Sequence, residues 1–348
     1  MLLEQLSNAF GVSSVEAEVR KIIVEAVKES ADEWRIDAMG NLFVTRRRRV
    51  EGEGQPLRVM VSAHMDEVGF IITAVKDNGR LKFKAIGGFD PRVLLGKAVV
   101  VGSDKVPGVI GVKPVHLIDS SERHQVGEID SMSIDVGADS KSDQIKAGDF
   151  ATFATQFGYL GDRDGEPSLE HGRVKGKAFD NRAGCAVLIE LLKRDYPVDL
   201  IGVFTVQEEI GMRGAQVAAY AAEPDLAFIL ECTAADDLPS LEEDSDEGFP
   251  RLGQGPAITV MDRSFIADRG LVDLLIETAK QENLPYQFKR PGIGATDAGA
   301  VHLARSGIRS AVISVPARYI HAPAAVLDLA DFWNTVRLMH STLRRLGS

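Results

Sequence analysis

Cysteine is scarce in this sequence, and two kinds of segment are missing from it. The two cysteines, Cys185 and Cys232, each lie in an apolar stretch, so the chain offers no disulfide framework and we expect a reducing compartment. No apolar run reaches about 18 residues, which argues against a membrane-spanning helix. The first residues lack a basic segment followed by an apolar one, which argues against export. We therefore expect a cytoplasmic protein.

Basic residues are also fewer than acidic ones. The chain has 40 Lys and Arg against 51 Asp and Glu, giving a formal net charge of −11. This charge repels polynucleotides and anionic membrane surfaces, so we expect no nucleic acid and no membrane among its partners. The remaining composition, 45% hydrophobic and 26% charged, is typical of a soluble globular enzyme.

The length of 348 residues favours two domains, or one domain that carries an insert. Residues 1–68 contain a helix, a hairpin and an apolar strand. Residues 69–164 contain short β-segments broken by turns, without a helix of three turns. Residues 165–348 alternate helices and strands. We therefore predict an α/β domain formed by the first and last segments, interrupted by an all-β insert.

The alternation in the last segment predicts a largely parallel sheet that helices cover on both faces. Strands are predicted over Leu200 to Val206, Leu226 to Cys232 and Ser310 to Val315. Helices are predicted over Asn181 to Lys193, Gly214 to Ala222, Asp268 to Glu282, Asp297 to Ser306 and Pro323 to Leu346.

Acidic and imidazole side chains follow several of the predicted strands. The carboxyl ends of strands in such a sheet are where polar side chains converge around a ligand. Two imidazoles and three carboxylates would suit two divalent ions about 3.5 to 4 Å apart, with one carboxylate bridging them and open positions for water. The candidate ligands are His64, Asp180, Glu209, Glu231 and His321.

Two neighbours of these ligands could assist them. Asp66 lies two residues after His64 on a strand, so both share a face, and its carboxylate could accept the second imidazole N–H. Glu208 and Glu209 are adjacent at a strand end and point in different directions, so one can bind metal while the other acts as a base toward water.

Two other segments have both a structural and a functional interpretation. Asp180 precedes a helix and could be its N-cap instead of a bridging ligand. The glycine-rich segment from Pro291 to Asp297 could be a capped tight turn, or could hold a substrate carbonyl or carboxylate at the start of a helix.

Six motifs spread over nearly the whole chain resemble those of one known family. In chain order they are HMDEVGF, GGFDPRVLLG, KAFDNRAGC, QEEIGMRGA, TDAGAVHL and RYIHAP. Together they are similar to the M42 aminopeptidases, which include glutamyl aminopeptidases and the tetrahedral TET peptidases.

The resemblance implies a role for each candidate residue. His64 and Glu231 would bind one ion, Glu209 and His321 the other, and Asp180 would bridge them. Glu208 falls on the family's general base and Asp66 on the acid beside the first histidine. Gly294, Thr296 and Asp297 fall on a substrate-binding segment.

The resemblance also implies a fold and an assembly. The fold would be an α/β/α sandwich catalytic domain of the zinc-aminopeptidase type with an inserted all-β dimerisation domain, and dimers would assemble into a dodecamer. The ions would be two Zn²⁺ or Co²⁺ per subunit. Two positions depart from the family pattern: Glu231 replaces a commoner Asp, and Gly294-Ala295 replaces Gly-Gly.

The sequence thus predicts a dinuclear metal-dependent aminopeptidase that removes N-terminal residues from short peptides, with Glu208 as the base. Two alternatives stay open. Paired carboxylates also hydrolyse glycosides, as in an endoglucanase-like enzyme, and a non-catalytic peptide-binding protein could use the metals structurally. Arg290 or Arg318 could favour acidic substrate side chains.

Overall fold

The structure is a computed structural model, which describes residues 1–50, 54–76, 78–113, 116, 127–137, 144–161, 170–238 and 249–347. Part of the predicted insert falls outside these ranges. The described helices are α1 Leu2–Asn8, α2 Ala17–Val27, α3 Phe179–Leu192, α4 Arg213–Ala222, α5 Arg269–Gln281, α6 Ala298–Val301 and α7 Leu329–Arg345. Within the described ranges, no helix has the length and apolar character needed to cross a bilayer.

The described strands form one large sheet and one barrel. The strands of the large sheet are β1 Glu33–Ile36, β2 Leu42–Arg46, β3 Arg58–His64, β10 Gly158–Leu160, β11 Arg173–Gly176, β12 Asp199–Thr205, β13 Leu226–Ala234, β14 Ala257–Thr259, β15 Gln287–Phe288, β16 Arg309–Arg318 and β17 Ala325–Asp328. The strands of the closed barrel are β4 Gly69–Val75, β5 Arg80–Ile86, β6 Ala98–Val101, β7 Val106–Gly111, β8 Ser133–Asp135 and β9 Phe150–Phe153.

Apart from the short pair β14–β15, the large sheet is parallel only at its centre. Strands β12, β3, β13 and β16 are parallel neighbours in that order. The flanking pairs β1–β2, β2–β12, β16–β17, β17–β11 and β11–β10 are antiparallel. The prediction of a largely parallel sheet is therefore right for the centre and wrong for the flanks. There the neighbouring strands are joined by hairpins or come from distant parts of the chain.

Helices cover both faces of this sheet. On one face α1, α2, α3, α5 and α7 bury an extended core that includes Leu188, Phe228 and Phe332. On the other face α4 and α6 pack small side chains such as Ala218 and Ala298 against the central strands. The central strands are buried on both faces, which explains why their sequences are continuous apolar runs.

The barrel has its own core. Phe70, Phe83 and Phe153 lie at its centre, with the ring of Phe70 5.0 Å from that of Phe83 and 5.5 Å from that of Phe153. Among the described residues of the 69–164 segment, no helix of three turns occurs.

Two helix predictions are wrong. The segment predicted as a helix from Pro323 begins with strand β17, in which Leu327 pairs with Ala317 and Val174. Helix α7 starts only at Leu329, where Asp328 caps it by accepting a hydrogen bond from the N–H of Ala330 at 3.0 Å. A short apolar run has no periodicity that separates a buried strand from a helical turn.

The helix predicted from Asp297 to Ser306 is only the short α6 Ala298–Val301. After it the chain makes turns that end at Gly307, whose φ of 97° is a conformation that glycine adopts readily and other residues rarely do. Helix α1, which buries Leu3 and Leu6, was not predicted from the sequence.

Candidate metal and catalytic site

Six of the predicted side chains converge at the carboxyl ends of the central strands. This cluster, called the acidic site below, comprises His64, Asp180, Glu208, Glu209, Glu231 and His321. His64 ends β3, Glu231 lies within β13, and Glu208 and Glu209 follow β12. Strands β12, β3 and β13 are adjacent and parallel, so their ends open at the same edge.

Asp180 lies between the two histidines. Its Oδ1 is 3.3 Å from Nε2 of His64, and its Oδ2 is 3.5 Å from Nε2 of His321. It is not the N-cap of α3, since that position is Ala178 and the first turn is irregular at Asp180 itself. The irregular turn directs the carboxylate at the two imidazoles.

Each histidine has a second carboxylate of its own. Nε2 of His64 is 3.5 Å from Oε2 of Glu231, and Nε2 of His321 is 3.5 Å from Oε2 of Glu209. The ligand-type atoms of His64, Asp180 and Glu231 lie within 4.8 Å of one another, as do those of Asp180, Glu209 and His321. The corresponding atoms of His64, Glu208 and Glu209 also lie within 4.8 Å of one another, so the site is three overlapping triads, two of which share Asp180.

Both imidazoles are oriented through their other nitrogen. Nδ1 of His321 lies 3.1 Å from the carbonyl oxygen of Gly88, in the loop after β5. Nδ1 of His64 lies 3.1 Å from the backbone oxygen of Asp66 and 3.4 Å from its carboxylate. A carbonyl that accepts an Nδ1–H leaves Nε2 as the free ligand atom, and in both rings Nε2 faces the carboxylates.

Asp66 has more contacts than the predicted one with His64, whose Nδ1 lies 3.4 Å from its carboxylate. The nearest partner of His64 Nδ1 is the backbone oxygen of Asp66. The buried carboxylate of Asp66 accepts hydrogen bonds from Ser13 Oγ at 2.6 Å and from the backbone N–H groups of Glu208 at 3.0 Å and Glu209 at 3.2 Å. Asp66 thus joins the end of β3 to the turn that carries the two glutamates. Ser13 and Gly88 were not predicted as residues of the site, and both lie far in the chain from the ligands that they support.

Glu208 lies outside the two triads that share Asp180 and belongs only to the third. Its Oε2 is 4.0 Å from Nε2 of His64. The residue before it, Gln207, has a φ of 58°, which turns the chain at the end of β12 and separates the directions of the two glutamates.

The electrostatics show an excess of negative charge. Burial raises the pKa of Glu208 well above its usual range, and burial also raises the pKa of Glu209 to about 8 and that of Glu231. Burial disfavours charge on the imidazoles, but the neighbouring carboxylates outweigh it and raise the pKa of His321 to about 9 and that of His64 well above its usual range. The folded chain therefore favours bound protons, or another cation, at this site.

Two buried carboxylate oxygens of the acidic site lack hydrogen bonds in the described part of the chain and could bind a cation. Among the described residues, Glu209 Oε1 and Glu231 Oε1 have no hydrogen-bond partner. Buried carboxylate oxygens are rarely left without a partner. A donor set of two imidazole nitrogens and several carboxylate oxygens is one that zinc-like divalent ions accept. The side chains fit such ions.

The predicted substrate segment borders the acidic site. Gly294 is exposed, whereas Thr296 and Asp297 are buried. Thr296 Oγ1 donates to Asp262 Oδ2 at 3.0 Å, and Thr205 Oγ1 donates to Asp297 Oδ2 at 2.5 Å. Thr296 and one oxygen of Asp297 thus have partners within the fold, whereas Asp297 Oδ1 is buried without a hydrogen-bond partner among the described residues. The helix that follows has only four residues. These contacts favour a structural role for Thr296.

The two arginines predicted near the pocket have partners elsewhere. Arg318 forms an ion pair with Asp237, with Nη2 2.7 Å from Oδ2. Arg290 is exposed and lies over the ring of Phe249 at 5.0 Å.

Comparison with known proteins agrees with this geometry. The sequence profile of the M42 glutamyl aminopeptidase family matches residues 40–338. The chain belongs to the M42 peptidase family. It is therefore a peptide hydrolase of a metal-dependent aminopeptidase family, and the donor set described above agrees with that dependence.

Similar proteins cover the chain almost entirely. A lysyl aminopeptidase of Pyrococcus furiosus is 32% identical over 99% of this chain and 96% of its own. The crystal structure of a TET aminopeptidase from a marine sediment Thaumarchaeota archaeon matches with a TM-score of 0.90 at 35% identity, covering 99% of this chain and 96% of that one. The TET1 peptidase of Pyrococcus horikoshii, described as assembling into a tetrahedron or a large octahedral shell, matches with a TM-score of 0.81 at 32% identity over 99% of both chains.

Proposed function

We propose that this M42 peptidase is a dinuclear metalloaminopeptidase that removes the first residue from short peptides. His64 and Glu231 would hold one ion, Glu209 and His321 the second, and Asp180 would bridge both. The observation that carries the proposal is the position of Asp180, with one oxygen beside each histidine at 3.3 and 3.5 Å. Two zinc-like ions, Zn²⁺ or Co²⁺, would polarise the scissile carbonyl and lower the pKa of a shared water.

Glu208 would be the general base. It is mostly buried, belongs to neither triad around Asp180, and has a pKa that burial raises well above the usual range. A carboxyl with a raised pKa can take a proton from water and return it to the leaving amine near neutral pH. Asp66 would be a positioning residue, because its carboxylate holds the backbone N–H groups of Glu208 and Glu209.

The proposal can be tested on protein stripped of metal by a chelator. We expect hydrolysis of aminoacyl-p-nitroanilides to disappear and to return with Zn²⁺ or Co²⁺. The N-acetylated substrates serve as the control and should remain intact, because an aminopeptidase needs the free amine. Cleavage of the acetylated substrates, or activity that persists without metal, would contradict the proposal.

The same preparation separates the two alternatives. A glycoside hydrolase based on two carboxylates would cleave soluble cellulose derivatives with or without metal. A metal-stabilised binding protein would lose thermal stability on chelation and show no turnover. The two buried carboxylate oxygens without partners favour the metallopeptidase.

For the assembly, we propose that the 69–164 segment mediates contacts between subunits and that dimers build a dodecamer. Exposed apolar side chains on this segment, Val75, Leu95 and Val109, support such contacts. Light scattering after size exclusion should give the mass of twelve chains, and a charged residue at Val109 should reduce it. A monomer would contradict this part of the proposal. The cytoplasmic location stays a prediction.

A further inference from the structure

Asn181 is a buried asparagine that contacts one carboxylate of the acidic site. It is the residue after Asp180, is fully buried, and donates from Nδ2 to Oε2 of Glu231 at 3.1 Å. The first turn of α3 is irregular at Asn181 as well as at Asp180. Two consecutive residues of this turn therefore reach the acidic site, although only Asp180 is a candidate ligand.

The backbone fixes which end of the Asn181 amide faces Glu231. The N–H of Gly184 donates to Asn181 Oδ1 at 3.0 Å, and Asn181 Nδ2 donates to the carbonyl oxygen of Leu230 at 2.8 Å. A backbone N–H needs an acceptor and a carbonyl needs a donor, so the amide cannot turn over without losing both bonds. The side chain thus presents an N–H group, and not its oxygen, to Glu231.

The space around the amide fixes its position as well. A side-chain carbon built on Gly184 would lie 2.3 Å from Asn181 Oδ1, so the glycine leaves the room that the amide needs. The amide is held between α3, which follows Asp180, and β13, which carries Glu231. Its position is therefore set by backbone groups and does not depend on the Glu231 side chain.

The hydrogen bond restricts the carboxylate of Glu231. The oxygen that accepts it, Oε2, is 3.5 Å from Nε2 of His64. Two ligand atoms of one tetrahedral zinc-like ion lie about 3.3 Å apart when each is about 2.0 Å from the ion. A glutamate side chain has several rotatable bonds, and the hydrogen bond removes part of that freedom before an ion binds. Asn181 thus holds Oε2 at a ligand spacing from His64.

We propose that Asn181 is a positioning residue that holds Glu231 in place for the ion bound by His64 and Glu231. The proposal rests on the dinuclear site of the proposed function. Within the described part of the chain, Asn181 makes no hydrogen bond to Glu209 or His321, so it acts on one ion of the two. Hydrogen bonds that support a metal ligand typically contribute about 10- to 100-fold to metal affinity.

The test uses two proteins that each keep the histidine of one ion. His321→Ala keeps the ligands His64 and Glu231, and His64→Ala keeps His321 and Glu209. Adding Asn181→Ala should weaken Co²⁺ binding about 10- to 100-fold in the His321→Ala protein, but by less than about twofold in the His64→Ala protein. Titration calorimetry with Co²⁺ measures both affinities. Asn181→Leu, which fills the same space without an amide, should give the same pattern.

The matched control is Asn41→Ala. Asn41 is also fully buried, and its amide donates to Asp37 and to the carbonyl oxygen of Gly214 instead of to a ligand. This substitution should leave the Co²⁺ affinity of both single-ion proteins unchanged. Equal weakening of both ions by the Asn181 variants would show a general structural role and overturn the inference, as would no weakening at all.

Two further outcomes are distinguishable. If neither Asn181 variant folds, Glu231→Asp in the His321→Ala protein withdraws the carboxylate from the amide by one methylene, and an unchanged Co²⁺ affinity would then overturn the inference. If neither single-ion protein nor the wild type binds Co²⁺, the dinuclear site of the proposed function fails and this inference fails with it.

Discussion

Two clusters of buried charged groups lie side by side in this protein, and they differ in how they are paired. The first, called the paired cluster below, consists of Glu67, Lys177 and Arg182. The second is the acidic site. The two are interleaved in sequence, since Glu67 follows Asp66 directly and Arg182 lies two residues after Asp180.

In the paired cluster each carboxylate oxygen has donors. Lys177 Nζ lies 2.7 and 2.8 Å from the two oxygens of Glu67, and Arg182 Nη2 lies 3.2 Å from one of them. Thr152 Oγ1, from β9 of the barrel, donates to the other oxygen at 2.8 Å. The cluster thereby ties the barrel to α3.

The acidic site shows the opposite pattern. It contains four carboxyl groups and two imidazoles, and two of its buried oxygens have no partner among the described residues. All three residues of the paired cluster are buried, whereas in the acidic site His64 and Glu231 are buried and the other four are partly exposed. Buried charged groups thus occur in both clusters, and burial alone does not distinguish a structural cluster from a metal site. The difference is whether the protein itself supplies the counter-charge.

The largest expected effect concerns stability. Lys177→Met should lower the free energy of unfolding by about 3 to 5 kcal/mol, because it leaves Glu67 buried without its main partner. Urea unfolding measures this. Lys175→Met, two residues away and only partly buried, is the control and should change stability by less than about 1 kcal/mol. An equal, small effect of both substitutions would show that the paired cluster is not structural.

The next effect concerns catalysis. Glu208→Gln should keep both metals and the fold but lose at least about 10²-fold in kcat, the low end for loss of a general base. Steady-state kinetics with metal analysis by mass spectrometry measure this. Normal turnover with a full metal content would exclude Glu208 as the base and make the acidic site a binding site only.

Metal affinity should depend on pH. The pKa of Glu209 is raised to about 8 and that of His321 to about 9, so at pH 7 both carry protons in the metal-free protein and must lose them to bind metal. Affinity for Co²⁺ should therefore increase from pH 6 to pH 8, by about tenfold per pH unit for each proton released. Titration calorimetry in two buffers counts the protons. Affinity that does not change with pH would contradict the raised pKa values.

The smallest effect sharpens the contrast between the clusters. Burial raises the pKa of Glu231 in the folded chain, so its ionised form opposes folding at pH 7. Glu231→Gln should leave the stability of the metal-free protein within about 1 kcal/mol of the wild type, or raise it. In the presence of Co²⁺ the same variant should be the less stable one. A large loss in the metal-free protein would mean that the hydrogen bond from Asn181 Nδ2 to Glu231 Oε2, 3.1 Å long, stabilises the fold and that Glu231 is not only a metal ligand.

Much of the acidic site could be predicted from sequence because its ligands follow apolar strands. The carboxyl ends of parallel strands meet at one edge of the sheet. His64, Glu209 and Glu231 could therefore be expected to converge before any interatomic distance was known. The same local reasoning failed for Pro323 to Leu346, where a short apolar run pairs as strand β17 with segments about 10 and 150 residues away.

Pairing over long sequence distances could not be predicted. Glu67 and Lys177 are 110 residues apart and Gly88 and His321 are 233 apart. The partners of Arg290 and Arg318, Phe249 and Asp237, likewise come from another part of the chain.

The sequence by itself thus determined the chemistry available to this protein: an acidic chain with histidines and carboxylates placed at strand ends, in the motifs of one peptidase family. Only the tertiary structure decided which of these buried charges are neutralised within the fold and which are left for a cation or a substrate. The physical reason is that residue type and local periodicity are carried by neighbours in the chain, whereas compensation of a buried charge depends on atoms within about 4 Å, wherever in the sequence they arise.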